Sequence, residues 1–96
     1  MRFLRRLFGL KVAPRHGDPL PKQKAATEEL MILKIAREYA AREGLRWIEP
    51  VHAAYLYSPD GPYWLVQTNF TGRGYTVFIA INDETRDVIG THSLPR

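Results

Sequence analysis

Only one segment of the chain has a helical pattern, and everything after it has the pattern of strands. Residues 25–43 place apolar side chains at helical spacing, and Gly44 can end that helix in the left-handed conformation. The β-rich runs that follow are joined by loops of about 4–6 residues, which favour antiparallel hairpins because parallel strands need much longer crossovers. We therefore expect an α+β fold, with one N-terminal helix packed on a four-stranded antiparallel meander.

The boundaries of these elements follow from their patterns. In the helix, Thr27 is the predicted N-cap, and one apolar stripe is formed by Leu30, Leu33, Ala36 and Ala40. Its neighbouring stripe is formed by Ile32, Ile35, Ala36 and Tyr39. The predicted strands are residues 51–57, 63–69, 75–81 and 87–94, with a further short strand at 45–49 that Pro50 ends.

The strand at residues 75–81 is apolar on both of its sides. One side is formed by Tyr75, Val77, Ile79 and Ile81, and the other by Phe78 and Ala80. A single helix can cover only one face of a sheet. The other face is therefore expected to meet a partner, a second copy of the chain or the N-terminal arm.

The positive charge of the chain is confined to its beginning. The net charge is +4, yet residues 1–24 carry seven basic residues against one acidic residue, whereas residues 25–96 carry seven basic and nine acidic residues. The sequence thus divides into a basic arm at 1–24 and a single mildly acidic α+β domain at 25–96. Any attraction to an anionic membrane or to nucleic acid would belong to the arm.

The arm itself has two parts. Residues 1–12 have a short cationic amphipathic pattern, whose candidate membrane-binding or anion-binding residues are Arg2, Phe3, Arg5, Arg6, Leu7 and Phe8. The alternatives are a frayed tail and a short helix docked on the domain or on a partner chain. Residues 13–24 contain Pro14, Pro19 and Pro21, which predict a linker. The pattern is not that of a secretory signal or a transmembrane helix.

The residues that could carry chemistry form no recognisable catalytic or metal-binding set. The chain has no cysteine. Ser93 adjoins His92, but neighbours on a strand point to opposite faces, and His52 could meet His92 only across the sheet. The acidic residues Asp83, Glu84 and Asp87 cluster at a hairpin tip and predict a solvated turn. We therefore predict a protein that is not an enzyme, with no catalytic residues, no metal site and no cofactor.

The segment Gly72-Arg73-Gly74 has the composition of a phosphate-binding loop, but it lies between two strands and opens no helix. Its continuation through Tyr75 only begins like an RNA-binding motif, and the RNA-recognition fold needs a second helix. The aromatic residues of the predicted sheet also lack interleaved basic residues, which makes nucleic acid an improbable ligand of this domain. The segment is predicted to be a hairpin turn.

Three segments carry a resemblance to a known family. They are TEEL at residues 27–30 with Ile35, Ala36 and Tyr39, YWLV at 63–66 and IAINDETRDVI at 79–89. Over residues 25–94 the chain resembles the small PepSY-like, cystatin-like domains found among bacterial immunity proteins. Two positions depart from the family pattern: Leu30 replaces a small Ala, and Arg86 replaces a turn Gly, which predicts a different turn conformation.

The resemblance implies a non-catalytic bacterial protein that binds another protein, as an immunity or inhibitor-type protein does, through its sheet face or as a homodimer. We expect it in the cytoplasm, with peripheral membrane association through residues 1–12 and nucleic-acid binding through the basic arm as alternatives. The candidate interface residues are Tyr55, Tyr57, Trp64 and Phe78, of which half could belong to the core.

Overall fold

The computed structural model describes residues 13–94, which form one α-helix on one antiparallel sheet. The helix α1 spans Glu29–Glu43, and the strands are β1 (His52–Leu56), β2 (Tyr63–Gln67), β3 (Thr76–Asn82) and β4 (Val88–Leu94). The strands lie in the order β1-β2-β3-β4, and each is antiparallel to its neighbour. The predicted α+β fold with an N-terminal helix is confirmed.

The helix packs on one face of the sheet through its smallest side chains. Ile32, Ala36 and Ala40 are buried on α1, and they meet a sheet face formed by Ala53, Tyr55, Trp64, Val66, Val77, Ile79 and Ile81. The two alanines have almost no side chain, which lets the helix approach the sheet closely. The prediction that Leu30 belongs to this stripe is wrong, because its side chain is 78% exposed.

The C-terminal end of α1 agrees with the sequence prediction, and the N-terminal end does not. The helix ends at Gly44 in the left-handed conformation (φ 70°), as predicted. Its N-cap is Glu28, which makes no side-chain cap, so the prediction for Thr27 is wrong. The Thr27 hydroxyl instead donates a hydrogen bond to the backbone carbonyl of Asp83 at 2.6 Å and accepts one from Arg86 Nε at 3.4 Å, so it is directed at the β3–β4 turn and not at the helix.

The predicted short strand at 45–49 is absent, and these residues cross the end of the helix as irregular chain. Leu45 N–H donates to the carbonyl of Ala40, and Asn69 N–H donates to the carbonyl of Ile48. Leu45 and Trp47 pack against the core at the same time. The apolar side chains that suggested a strand therefore cover the edge of the core instead.

The proline-containing segment is more than a linker. Gly17 and Leu20 donate backbone hydrogen bonds to the carbonyls of Tyr57 and Tyr55, and Tyr57 N–H donates to the carbonyl of Asp18. Pro19 forms an isolated bridge to Leu56. Residues 17–20 thus cover the outer edge of β1, a position where proline is tolerated because that edge needs no further donor.

Candidate functional site

The sheet face opposite the helix is called the open face below, and among the residues that the structure describes it carries no charged side chain. Its central row runs across the four strands as Ala54, Leu65, Ala80 and Gly90. The adjoining rows contain His52, Gln67, Phe78 and His92 on one side and Leu56, Tyr63 and Asn82 on the other. Depletion of charge is what distinguishes the centre of a protein interface from other surface.

The open face is shallow. A depression of about 230 Å³ lies over β2, β3 and β4, with Leu65, Phe78 and Ala80 among its lining residues. Leu65 and Phe78 are partly exposed. At the rim, the loop residue Phe70 stacks on His52 with ring centroids 4.4 Å apart. A shallow apolar surface with aromatic side chains suits a protein partner better than a small ligand, which needs a concave site.

The four predicted interface residues are divided between the two faces. Phe78 lies on the open face, and Tyr57 lies just beyond β1 and is partly exposed. Tyr55 is 6% exposed and Trp64 is 1% exposed, because both point toward the helix. Their assignment as contact residues is therefore corrected: these two aromatic side chains belong to the core.

A buried carboxylate lies beside that core, just after the end of β3. Asp83 is 1% exposed, and its side chain accepts four hydrogen bonds. The backbone N–H groups of Ala26 and Thr27 donate at 2.8 and 2.9 Å. The Tyr55 hydroxyl and Trp64 Nε1 each donate at 3.0 Å. The prediction that Asp83 belongs to a solvated turn is wrong, whereas Glu84 and Asp87 are exposed as predicted.

The hydrogen bonds set the ionisation of this centre. Burial by itself would raise the pKa of Asp83, but the donors Ala26, Trp64, Thr27 and Tyr55 stabilise the carboxylate and leave its pKa below the ordinary value. Burial, together with the adjacent negative charge, raises the pKa of the Tyr55 hydroxyl to about 12. The pair is therefore a carboxylate and a neutral phenol at neutral pH.

The Asp83 centre acts as a structural clamp. It ties the residues just before α1 to the start of the β3–β4 turn, with Tyr55 and Trp64 joining from β1 and β2. Its oxygens are occupied and shielded from solvent, so it offers no surface to a substrate. One signal in the sequence points to this position: Asp83 continues the alternation of Val77, Ile79 and Ile81, the buried side of β3.

The histidines are exposed and separate. His52 and His92 lie in one row of the open face, but β2 and β3 separate their strands. Three inter-strand spacings amount to roughly 14 Å, so the two side chains do not meet. Within residues 13–94, no group of three His, Cys, Asp or Glu side chains is placed to hold a metal ion.

Asn69 organises the loop between β2 and β3. It adopts a left-handed conformation (φ 51°), and its side-chain amide donates to the carbonyls of Arg73 and Tyr75. Gly72 is required beside it, because a Cβ there would overlap the Asn69 side-chain oxygen. These contacts explain why position 72 is a glycine in a hairpin connection, so phosphate binding is not needed to explain the Gly-Arg-Gly sequence.

The turn between β3 and β4 contains Arg86 at the position where the resemblance places a glycine, and the predicted difference from the family's turn conformation stays a prediction. Arg86 has φ 64°, the left-handed conformation that a glycine would adopt there. The turn is held by Asn82, whose side-chain oxygen accepts hydrogen bonds from the N–H groups of Glu84 and Thr85, and by the bond from Arg86 N–H to the Asn82 carbonyl. The missing glycine therefore leaves a turn that holds arginine in an unfavourable conformation.

Replacing Arg86 with glycine is expected to give a protein about 0.5–1 kcal/mol more stable than the Arg86→Ala variant, because the left-handed conformation costs an L-residue about 1–2 kcal/mol and part of this is offset by the flexibility of unfolded glycine. Both variants lose the hydrogen bond from Arg86 Nε to the Thr27 hydroxyl, so the comparison isolates the backbone. Urea denaturation measures the change. Arg86→Ala is the matched control, since it removes the side chain and keeps the strain. A glycine variant less stable than the alanine variant would contradict this account.

A groove of about 450 Å³ lies beside the helix. It is lined by Leu30, Leu33, Lys34, Arg37, Trp47, Glu49 and Val51. Nε1 of Trp47 is buried and has no hydrogen-bond partner within the part of the chain that the structure describes. Charges of both signs surround the groove, with Arg37 and Glu49 4.0 Å apart and well exposed, so it favours no ion of one sign.

The candidate membrane-binding or anion-binding residues Arg2, Phe3, Arg5, Arg6, Leu7 and Phe8 lie outside the described residues. Their roles in membrane or nucleic-acid binding stay predictions. Among residues 13–94, no helix is both long enough and apolar enough to cross a bilayer.

Comparison with known proteins adds no assignment. No protein-family model matches the chain, and no curated protein and no solved structure is significantly similar to it. The resemblance to PepSY-like and cystatin-like domains of immunity proteins therefore stays a prediction, and function has to follow from the chain's own surfaces.

Proposed function

We propose that this chain is a small non-catalytic binding domain that attaches to a protein partner through the open face of its sheet. The observation that carries the proposal is the charge-free apolar surface spanning all four strands on the side away from α1. A sheet face of this composition gains free energy when a complementary apolar surface removes it from water.

The chemistry of the partner follows from the same surface. The central row offers only apolar side chains and a glycine, whereas Gln67, Asn82 and the exposed histidines supply hydrogen-bonding groups toward the rim. The partner is expected to present aliphatic or aromatic side chains to Leu65 and Phe78 and polar groups around them. A nucleic-acid strand is disfavoured because the open face has no lysine or arginine to meet phosphates.

An immunity or inhibitor-type role fits this binding mode. Such a protein needs to occupy a surface of its target and needs no catalytic group of its own. The architecture of one helix on a four-stranded meander presents a whole sheet face to a target, as the resemblance to PepSY-like and cystatin-like domains implies. The proposed location for this activity is the cytoplasm.

Photo-crosslinking in cells tests the proposal at residue resolution. A photoreactive amino acid at Leu65, on the open face, is expected to link the chain to one defined protein, whereas the same group at Glu38, on the exposed side of α1, is not. The linked protein is then purified and titrated with the unmodified chain by calorimetry.

Leu65→Lys is expected to weaken binding of that purified partner by about tenfold or more, because it places a charge in the centre of an apolar contact. Ala41→Lys adds the same single positive charge at an exposed position of α1, so it is the charge-matched control and is expected to bind as the unchanged chain does. Circular dichroism checks that both variants are folded. Equal affinity of the folded Leu65→Lys variant and the unchanged chain would refute binding through the open face.

A further inference from the structure

Within the residues that the structure describes, the outer edge of β4 lacks the charges, the proline and the covering segment that commonly protect an edge strand, and only a bulge at Ile89 interrupts it. Residues 88–94 contain no charged residue and no proline. No other segment within residues 13–94 pairs with β4 on that side. The opposite edge of the sheet is different, because residues 17–20 with Pro19 cover β1. Unprotected edges are templates for pairing with another strand.

The directions of the backbone groups on β4 follow from its neighbour. Both the N–H and the C=O of Val77 are bonded to Thr68, so they point away from β4. Ser93, which lies opposite Val77, is therefore in a non-hydrogen-bonded pair, and the alternation of an antiparallel ladder puts Thr91 in the same position. Thr91 and Ser93 thus direct their N–H and C=O groups outward.

A bulge limits the part of the edge that can pair. Gly90 lies opposite Ala80 and Val88 lies opposite Ile81, which leaves Ile89 without a partner on β3. Bulges disturb an edge locally. From Gly90 to Leu94 the register is continuous, so the regular edge carries two residues with outward-directed backbone groups.

We propose that β4 pairs with β4 of a second copy of the chain in antiparallel fashion, around a twofold axis at His92. In this register Thr91 of each copy lies opposite Ser93 of the other, and the four outward residues form four hydrogen bonds. The contact is self-complementary, as a twofold interface requires. No like charges meet, because the strand has none.

The side chains of the open face support the same register. Pairing around His92 places Leu94 of one copy opposite Gly90 of the other. Leu94 is 41% exposed in the single chain, and Gly90 has no side chain to oppose it. The leucine can therefore lie over the glycine and against Ala80, the neighbour of that glycine on β3. The fit of a large residue against a small one favours a second copy over an arbitrary strand.

The dimer goes beyond the proposed function and leaves it intact. Edge pairing would join two four-stranded sheets into one of eight strands, with both open faces on the same side. The dimer would therefore present two open faces side by side, whereas a single chain can bind the partner without dimerising. An edge contact of five residues is small, so we expect a reversible dimer that is populated at about 100 µM chain.

Sedimentation of the full chain over a concentration series tests the pairing. Thr91→Pro removes an outward N–H and puts a ring in the path of the second strand, but it spares the ladder to β3, so it is expected to raise the dimer dissociation constant about tenfold or more. Thr91→Val keeps the N–H and is expected to dimerise as the unchanged chain does. A chain that stays monomeric throughout the series would overturn the proposal.

A single cysteine tests the register, since the chain has none of its own. The two His92 positions would form a non-hydrogen-bonded pair with Cα atoms about 4.5 Å apart, within reach of a disulfide. Mild oxidation of His92→Cys is expected to give a covalent dimer, and Asp60→Cys, in the β1–β2 loop, is expected to give little. A noncovalent dimer in which the two cysteine variants link equally would overturn the β4 register. Leu65→Lys is expected to leave the dimer unchanged, which separates this test from that of the open face.

Discussion

Replacing Asp83 with alanine is expected to lower the free energy of unfolding by about 3–5 kcal/mol, which is a large part of the stability of a domain this size. The substitution removes the acceptor of four hydrogen bonds while the donors stay buried. Two of those donors are the backbone N–H groups of Ala26 and Thr27, and two are the side chains of Tyr55 and Trp64. Each buried donor left without a partner costs about 1–3 kcal/mol before relaxation.

Urea denaturation followed by Trp fluorescence measures this loss. Glu84→Ala is the matched control, because it removes the adjacent carboxylate, which is exposed, and is expected to change stability by less than about 0.5 kcal/mol. Similar losses in the two variants would show that Asp83 is not the clamp described here.

The same clamp predicts sensitivity to acid. Folding lowers the pKa of Asp83 below its ordinary value of 3.8. The ionised carboxylate therefore adds its full contribution to the free energy of unfolding above pH 3.8, and this contribution is lost as the pH falls through the lower pKa of the folded state. Asp83→Asn cannot ionise, so its stability is expected to fall less steeply in acid than that of the unchanged chain.

The clamp also explains which face of the sheet the helix covers. The alternation of β3 offers two apolar sides, Val77 with Ile79 and Phe78 with Ala80, and their hydrophobicity alone does not decide between them. Asp83 lies on the side of Val77 and Ile79 and binds the residues just before α1. The helix is thereby fixed to that side, and the side of Phe78 is left as the open face.

The sequence predicted the elements of this fold because they depend on local patterns. Gly44 marked the helix end, and the short loops after it required antiparallel pairing. The features that the sequence did not predict depend on contacts between residues far apart in the chain. Thr27 bonds to Asp83, and residues 17–20 lie along β1. Tyr55 and Trp64 were assigned to an interface because aromatic side chains serve cores and interfaces alike. Their hydroxyl and indole groups bind the carboxylate of Asp83, and the one local sign of its burial is that Asp83 continues the buried alternation of β3.

Alkaline conditions should weaken the same centre through Tyr55. Because folding raises the pKa of its hydroxyl from 10.0 to about 12, the contribution of the neutral phenol is fully present below pH 10 and is lost as the pH rises toward 12. This shift of about two units corresponds to about 2–3 kcal/mol of stability. Tyr55→Phe should be less stable than the unchanged chain at neutral pH, because it lacks the bond to Asp83, but their stabilities should converge as the pH rises, since phenylalanine cannot ionise.

Urea denaturation from about pH 8 to about pH 11.5 measures the stability of both proteins as a function of pH. Tyr63→Phe is the matched control, since Tyr63 is partly exposed, and it should keep the alkaline slope of the unchanged chain. Parallel curves for Tyr55→Phe and the unchanged chain would mean that the buried phenol and Asp83 are not coupled.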